Sequence, residues 1–252
     1  MIRRPTRRGL ILGSAGLLAG CDQLQRNASV RDVLRAGEAL SKGAQRLLLS
    51  AQPLAREFKP SDLSPAFRTN GSTMPQAEEY QRHVEEGFAN WRLRVDGLVR
   101  SPFALSLAQI KAMNGRTQIT RHDCVEGWSA IGQWTGVPLA ALLSAAGLMP
   151  AARFLIFHCA DNLGGDPDGL YYESIDLFDA YHPQTILAYA LNGKDLPVGN
   201  GAPLRLRVER QLGYKQAKFV MRIEAASSLS HVGAGRGGFW EDRAGYEWYA
   251  GI

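Results

Sequence analysis

The densest group of reactive side chains in the sequence surrounds one cysteine. Ionisable groups on both sides of it lie within the run 121–126: Arg121, His122, Asp123, Cys124 and Glu126. A nearby arginine or protonated histidine lowers the pKa of a thiol, and the resulting thiolate is a nucleophile and a soft metal ligand. The two acidic residues oppose this effect. The run is therefore compatible with a metal ligand or with a cysteine nucleophile served by His122 or His158.

The positions of the other cysteines and of the histidines bear on two further roles of Cys124, in a disulfide and in a zinc site. The sequence contains Cys21, Cys124 and Cys159, so a Cys124–Cys159 disulfide is the conventional expectation in an oxidising compartment. A structural zinc site is disfavoured, because zinc usually takes closely spaced cysteine and histidine pairs and the sequence has no C-x-x-C or H-x-x-x-H spacing. The Cys124 thiol could therefore serve as a metal ligand, a nucleophile or half of a disulfide, and the flanking sequence distinguishes these roles.

Two short sequences around Cys124 favour a metal ligand. Asp123-Cys-Val-Glu-Gly-Trp-Ser129 and Trp134-Thr-Gly-Val-Pro-Leu139 resemble the molybdenum-ligand segment of the sulfite oxidase superfamily. They are especially similar to the branch that contains the bacterial periplasmic methionine-sulfoxide reductase catalytic subunit. The resemblance implies that Cys124 provides the only protein bond to molybdenum. It also implies that the other sulfur ligands belong to a molybdopterin cofactor.

A second pair of sequences, spanning residues 192–206 and 213–218, resembles the pterin-binding half of the same superfamily. The resemblance implies that the cofactor is held by a set of side-chain and backbone groups: Asn200, Arg205, Gln216, Ala217 and Lys218. An anionic phosphate and a pterin ring require fixed donors, and arginine offers a bidentate one. Taken alone, Asn200-Gly201 is also typical of a turn between strands, and Lys218 of a solvated residue.

Further site residues are implied by looser parts of the resemblance. Asn70 corresponds to an asparagine that contacts the pterin, and Cys159 stands where the reductase branch has a cofactor-contacting threonine. Cys159 is also typical of a buried core residue. Tyr172 corresponds to a tyrosine that faces the metal in sulfite oxidases, with Tyr171 as the competing assignment.

The elements that must position these residues predict an α+β fold. The resemblance makes it a sulfite-oxidase-like molybdopterin-binding fold with a mixed sheet and short helices. Strands are predicted at 91–99, 117–121, 154–158, 171–172, 186–189, 204–208 and 219–223. Helices are predicted at 29–49, 106–113, 138–146 and 175–181. The expected organisation is an N-terminal helix and linker over 21–69, the molybdopterin-binding domain over 70–230 and a C-terminal tail over 231–252.

Residues 1–20 indicate export. A basic stretch precedes an apolar run that is too short to span a bilayer. Residues 6–11 resemble a twin-arginine signal and residues 18–21 resemble a lipobox ending at Cys21, so we expect a periplasmic lipoprotein anchored to the inner membrane. The alternative is an ordinary cleaved signal. The formal net charge of +5 is concentrated in this leader, which argues against a nucleic-acid partner.

These features together predict a molybdenum–molybdopterin oxidoreductase that transfers an oxygen atom. The resemblance to the reductase branch implies reduction of an S-oxide or N-oxide on a small or protein-borne substrate, with a separate haem protein or cytochrome as electron partner. Sulfite-type oxidation is the alternative, although Asp123 occupies a position that is basic in sulfite-handling relatives. The same residues would also allow a non-catalytic lipoprotein binding module on this fold or a metal-free thiol enzyme.

Overall fold

The computed structural model describes residues 53–165 and 169–252, together with positions 37, 40 and 43, which are helical. The export signal, Cys21 and most of the helix predicted at 29–49 lie outside the described residues. Residues 54–252 form one compact unit. Within the part of the chain that the structure describes, no helix is both long and apolar enough to cross a membrane.

Short strands and shorter helices alternate along this unit. The strands are β1 (Arg92–Gly97), β2 (Phe103–Ser106), β3 (Arg116–Cys124), β4 (Trp128–Pro138), β5 (Phe154–Asn162), β6 (Leu170–Asp176), β7 (Ile186–Leu191), β8 (Lys194–Asp195), β9 (Arg205–Arg207) and β10 (Val220–Ala226). The helices are α1 (Glu78–Glu85), α2 (Leu107–Lys111), α3 (Leu139–Ala146), α4 (Leu177–Ala180) and α5 (Phe239–Arg243). Single 3-10 turns lie at Pro60–Asp62, Val198–Asn200 and Gly213–Lys215.

The strands form two five-stranded sheets. The first has the order β2-β1-β10-β5-β6, and it is mixed because β1 and β10 run parallel while the other neighbours are antiparallel. The second has the order β3-β4-β7-β8, with β9 also paired to β7, and all of its pairs are antiparallel. The predicted α+β class and mixed sheet are confirmed, although the strands divide between two sheets rather than one.

Several elements form for the reasons that their sequences suggest. In β1, Leu93 and Val95 are buried on one face, as the alternation of apolar and polar residues predicts. Helix α2 begins after Ser106, whose hydroxyl accepts a hydrogen bond from the backbone N–H of Gln109 in a capping box. Helix α3 ends at Gly147, which has a left-handed conformation with φ of 66°.

Other boundaries differ from the prediction. Residues 175–176 end β6, and the helix predicted at 175–181 is only Leu177–Ala180, because the side chain of Asp176 caps it by accepting from the N–H of Asp179. Residues 128–138 form strand β4, where the sequence predicted no strand. Gly136 permits that strand to pair closely with β7, since a Cβ atom there would lie 2.2 Å from the carbonyl oxygen of Leu187.

The largest core cluster contains buried residues of both sheets. Leu93 and Phe157 come from the first sheet, Val137 and Leu206 from the second, and Leu142 from α3. This shared core ties the two sheets together, so the loops at their ends have fixed relative positions. The burial of apolar surface is the main term that stabilises such a two-sheet unit.

The segment predicted as a C-terminal tail packs on the same unit. Gly238 forms a bridge with Glu173 of β6, and Gly251 forms another with Gln211. Phe239 is buried in the main core cluster. Residues 231–252 are therefore part of the folded domain that contains the predicted site.

Candidate functional site

A cavity of about 230 Å³ lies where the ends of several elements meet. Several of the polar residues that line it were singled out in the sequence: Asn70, Cys124, Glu126, Tyr171, Gln216 and Lys218. These positions span almost 150 residues of sequence, so only the tertiary fold brings them together. The cavity is the candidate active site.

Cys124 reaches this cavity from the end of a hairpin. Strands β3 and β4 pair up to Cys124 and Trp128, and Gly127 makes the tight turn between them with φ of 84°. The thiol is half-buried, and burial raises its pKa, while Arg205 acts in the opposite direction. Cys124 and Cys159 are both free, so the disulfide considered for them is not formed.

Neither histidine that could serve a cysteine nucleophile is paired with this thiol. His122 is fully buried, and its Nδ1 atom lies 3.0 Å from a guanidinium nitrogen of Arg207. Burial, reinforced by Arg205 and Arg207, holds the pKa of His122 well below its ordinary value, so the ring is neutral. His158 instead contacts Glu224 at 2.9 Å and does not line the cavity. The described contacts thus contain no thiol–imidazole pair at Cys124.

A buried group of cations adjoins the cavity. Arg205 is fully buried, and its guanidinium lies 3.3 Å from the carbonyl oxygen of Asn200 and 3.4 Å from Oδ1 of Asn70. Lys218 donates from Nζ to the carbonyl oxygens of Asn70, at 2.5 Å, of Ser72, and of Gly199, at 3.0 Å. Among the described residues, neither cation has a carboxylate within ion-pair distance.

The burial of these two cations lowers the pKa values of both side chains. Burial lowers the pKa of Arg205 to about 9, and the neighbouring Arg207 adds to the effect. Burial, reinforced by Arg205, lowers the pKa of Lys218 to about 7. Uncompensated positive charge in a buried place is costly, because the charges are desolvated and repel each other. An anionic group bound beside them would remove that cost.

Unsatisfied donors point to the same kind of ligand. Within the described chain, Nε of Arg205 and Nδ2 of Asn200 are buried and have no hydrogen-bond partner. A buried donor without an acceptor costs roughly 1–3 kcal/mol. Arg207, by contrast, donates to both carboxylate oxygens of Glu209, at 3.0 and 2.5 Å. Arg205 and Asn200 therefore have donors available for the phosphate and pterin of a cofactor, whereas Arg207 does not.

The predicted site residues divide into two groups. Cys124, Asn70, Gln216 and Lys218 line the cavity, Arg205 contacts Asn70 there, and Asn200 contacts Arg205. Ala217 and Cys159 belong to the main hydrophobic core and are not among the residues that line the cavity. The carbonyl oxygen of Ala217 accepts a hydrogen bond from Leu206. The contacts of Ala217 among the described residues are therefore those of a core residue.

The two adjacent tyrosines have different environments. Tyr171 lines the cavity, and its hydroxyl donates to the carbonyl oxygen of Tyr214 at 2.5 Å. Tyr172, which was predicted to be catalytic, is not among the residues that line the cavity, and its hydroxyl donates to the carboxylate of Asp242. The structure therefore brings the competing candidate, Tyr171, to the site, because successive side chains of a strand point to opposite faces.

Sequence reasoning missed an aromatic wall of the cavity. Tyr214, Trp240 and Tyr246 line it. The rings of Trp240 and Tyr246 stack at 6.0 Å, and those of Tyr214 and Tyr246 meet edge to face at 5.0 Å. The density of aromatic residues between 239 and 249 was a usable signal, but aromatic residues near a chain end are more often simply packing residues.

A buried ion cluster anchors this wall. Lys215 is fully buried and donates to a carboxylate oxygen of Glu173 and, at 2.6 Å, to one of Glu241. Glu241 lies in α5 beside Trp240. The cluster therefore connects the C-terminal segment to strand β6, and it holds the aromatic wall against the cavity.

Comparisons with known proteins agree with the chemistry of the site. Residues 80–231 match the family described as oxidoreductase molybdopterin binding domain. A relative from Azospira oryzae, provisionally named protein-methionine-sulfoxide reductase subunit YedZ1, is 36% identical over 244 residues, covering 97% of this chain and 85% of that protein. The protein-methionine-sulfoxide reductase catalytic subunit MsrP of Ralstonia nicotianae is 31% identical over 226 residues, covering 80% of this chain and 68% of that protein.

One solved structure is partly similar to this chain. The sulfane dehydrogenase SoxCD of Paracoccus pantotrophus is 22% identical, with a TM-score of 0.49 over 56% of this chain and 39% of that one. This partial likeness adds nothing to the assignment, which rests on the sequence matches.

Proposed function

The chain belongs to the oxidoreductase molybdopterin-binding domain family, and from that premise we propose that it is the catalytic subunit of a periplasmic protein-methionine-sulfoxide reductase. It is an oxidoreductase that uses molybdenum bound to molybdopterin. The proposed reaction converts a sulfoxide, two electrons and two protons into a thioether and water.

One observation carries the proposal. The Cys124 thiol opens into the same cavity as Lys218 and Asn70. Arg205, which contacts Asn70, and Asn200, which contacts Arg205, each have an unsatisfied donor. A thiolate suits a metal that is bound largely by sulfur, and buried cationic donors suit an anionic cofactor. The residues present therefore fit a molybdopterin with its single protein ligand at Cys124.

Each residue has a distinct part in the proposed site. Bound molybdenum–molybdopterin supplies a two-electron redox centre that takes up an oxygen atom. Cys124 holds the metal, and Arg205 and Lys218 neutralise the negative charge of the cofactor. Asn70 and Asn200 both contact Arg205, and Nδ2 of Asn200 is an additional unsatisfied donor. Fixed donors of this kind position a cofactor without reorganisation at each turnover.

The aromatic wall supports an organic sulfoxide as substrate. Tyr214, Trp240 and Tyr246 present apolar surface and exclude water from that side of the cavity. Sulfur-bearing side chains make favourable contacts with aromatic rings. The names of the two relatives specify protein-borne methionine sulfoxide, and we propose the same substrate for this chain.

Location and electron supply are proposed from the sequence. The twin-arginine-like and lipobox-like runs before Cys21 support export and a lipid anchor at the inner membrane. A separate haem protein or cytochrome would then deliver the electrons. The Cys21→Ser variant should move from the membrane fraction to the soluble periplasmic fraction. Retention of that variant in the membrane would contradict a lipid anchor at this cysteine.

The experiment that tests the function compares wild type with Cys124→Ser after expression in a host that makes molybdopterin. We expect about one molybdenum per chain in the wild type and loss of the thiolate-to-metal absorption bands in the variant. Reduced viologen dye should be oxidised by a methionine-sulfoxide peptide with the wild type only. Oxidation of sulfite without reduction of any sulfoxide would replace the proposed reaction. Absence of molybdenum from folded wild type would favour a binding module.

A further inference from the structure

We propose that Asp161 is the acid that delivers a proton to the oxygen atom removed from the substrate. The inference rests on the proposed reduction of a sulfoxide. That reaction consumes two protons for each oxygen released as water, so a proton donor inside the cavity is required. Nothing in the sequence motifs pointed to Asp161, which lies near the end of strand β5.

The position of Asp161 suits a donor to the substrate. Its side chain lines the same cavity as Cys124, although the residue is only 3% exposed. Its Oδ1 atom is buried and has no hydrogen-bond partner among the described residues. A buried carboxylate oxygen without a partner is unusual in a folded protein and calls for an explanation. Protonation of the carboxyl group supplies one, because a neutral acid is buried at a lower cost than a carboxylate.

The groups that face Asp161 come from several elements, and each is engaged elsewhere. Tyr80 of α1 donates its hydroxyl to the carbonyl oxygen of Ala202 at 2.5 Å, and Tyr171 of β6 donates to Tyr214. Cys159 is a buried thiol of the same strand, and burial raises its pKa well above the ordinary value. Lys218 donates to three backbone carbonyl oxygens. None of these groups binds Oδ1 of Asp161.

The electrostatic surroundings place the carboxyl group in the useful range. Burial raises the pKa of Asp161 to about 7, and Lys218 opposes the rise. An anionic cofactor beside Lys218 would offset that opposition and favour the protonated form further. A general acid works best when its pKa lies near the operating pH. Asp161 therefore carries a transferable proton close to neutrality.

Other cavity residues are less suited to this step. Glu126 is exposed and accepts a hydrogen bond from the indole of Trp128 at 2.9 Å. Gln216 has no titratable proton. Burial raises the pKa of Tyr171 well above its ordinary value, and its hydroxyl proton is already donated to Tyr214. Asp161 is the described cavity acid that combines burial with a free oxygen.

The step balances with Asp161 as the donor of one proton. The sulfur–oxygen bond breaks, two electrons enter from the reduced enzyme, and the oxygen leaves as water after receiving two protons. One proton comes from the carboxyl group of Asp161, which is left as a carboxylate beside Lys218. The second proton, and the proton that restores Asp161, come from solvent through the mouth of the cavity.

The test compares Asp161→Asn with wild type, using molybdenum-loaded enzyme and a methionine-sulfoxide peptide. Turnover is expressed per molybdenum so that loss of cofactor is counted separately. We expect wild-type turnover to decline with rising pH on the alkaline side of neutrality, because the bound cofactor favours protonated Asp161, and the variant to be roughly 10²-fold slower or worse with that decline abolished. Asp161→Glu should restore part of the rate. Asp96→Asn, which removes a carboxylate bound by Arg222 in the same sheet, should keep the wild-type pH profile.

A second readout does not depend on turnover. Difference infrared spectra of the cofactor-free protein should show a carboxylic-acid C=O band that titrates near pH 7 in wild type and is missing in Asp161→Asn. Wild-type turnover per molybdenum and an unchanged pH profile in Asp161→Asn would overturn the inference while leaving sulfoxide reduction intact. A variant that only loses molybdenum would show that Asp161 holds the cofactor, which also overturns it. If wild type reduces no sulfoxide, the inference falls together with the proposed function.

Discussion

Two lysines three positions apart show two different uses of a buried charge. Lys215 lies between the carboxylates of Glu173 and Glu241, all of them fully buried. The hydrogen bonds that Lys218 donates within the described chain all go to backbone carbonyl oxygens, and Arg205 beside it has no carboxylate within ion-pair distance there. The first cluster is complete without a ligand and stabilises the fold. The second is incomplete without an anion, which is what a cofactor site requires.

The largest expected effect comes from breaking the paired cluster. Lys215→Met would leave Glu173 and Glu241 buried without a cation, and we expect the free energy of unfolding to fall by about 3–5 kcal/mol. Urea denaturation of the cofactor-free protein measures this loss. Lys215→Arg keeps the positive charge and should lose clearly less. A loss below about 1 kcal/mol in Lys215→Met would mean that the cluster contributes little to the fold.

The same kind of change in the unpaired cluster should behave in the opposite way. Arg205→Met removes a buried charge that is repelled by Arg207 and Lys218, so the cofactor-free protein should be as stable as wild type or slightly more stable. Affinity for the cofactor should fall about 10- to 100-fold, the value of one or two charge-assisted hydrogen bonds. Retained molybdenum after dialysis measures this affinity. If Arg205→Met destabilised the cofactor-free protein and kept its molybdenum, Arg205 would serve the stability of the fold rather than cofactor binding.

The last contrast is in how the stability of the cofactor-free protein changes with pH. The pKa of Lys218 is about 7 in the folded protein and near 10.5 in the unfolded chain, so the unfolded state binds more protons between these values. Stability of the cofactor-free protein should therefore rise with pH in this window, by at most about 1.4 kcal/mol per pH unit from this group. Lys218→Met should lack this component when thermal or urea unfolding is followed from pH 7 to 9. Parallel curves for the two proteins would show that Lys218 is charged throughout.

A second contrast is between the part of the domain that matches the family and the segment that follows it. Residues 80–231 carry the family match and contain Cys124, Arg205 and Lys218. The segment after it was expected only as a tail, yet it supplies Trp240 and Tyr246 to the cavity and Glu241 to the ion cluster. Sequence motifs therefore predicted the residues proposed to hold the cofactor, but they did not predict the aromatic wall proposed to face the substrate.

The sequence was sufficient where local pattern and chemistry coincide. Alternating apolar residues predicted β1, a proline and a glycine bounded α3, and the run around Cys124 identified the family. It was insufficient for β4, because the buried positions of this strand include Gly132 and Gly136, which give no apolar alternation. The tight approach at Gly136 exists only between segments that are distant in sequence.

The sequence by itself determined the family of this protein and with it the molybdopterin cofactor. It also predicted Cys124 as the metal ligand and a set of cationic and amide donors for the cofactor. Only the tertiary structure decided which neighbouring residues serve the cavity. Tyr171 faces it and Tyr172 does not, because side chains alternate across a strand and the pairing register selects the inward face. Asp161 became a candidate acid only when burial among distant segments raised its pKa, since desolvation depends on the whole fold rather than on adjacent residues.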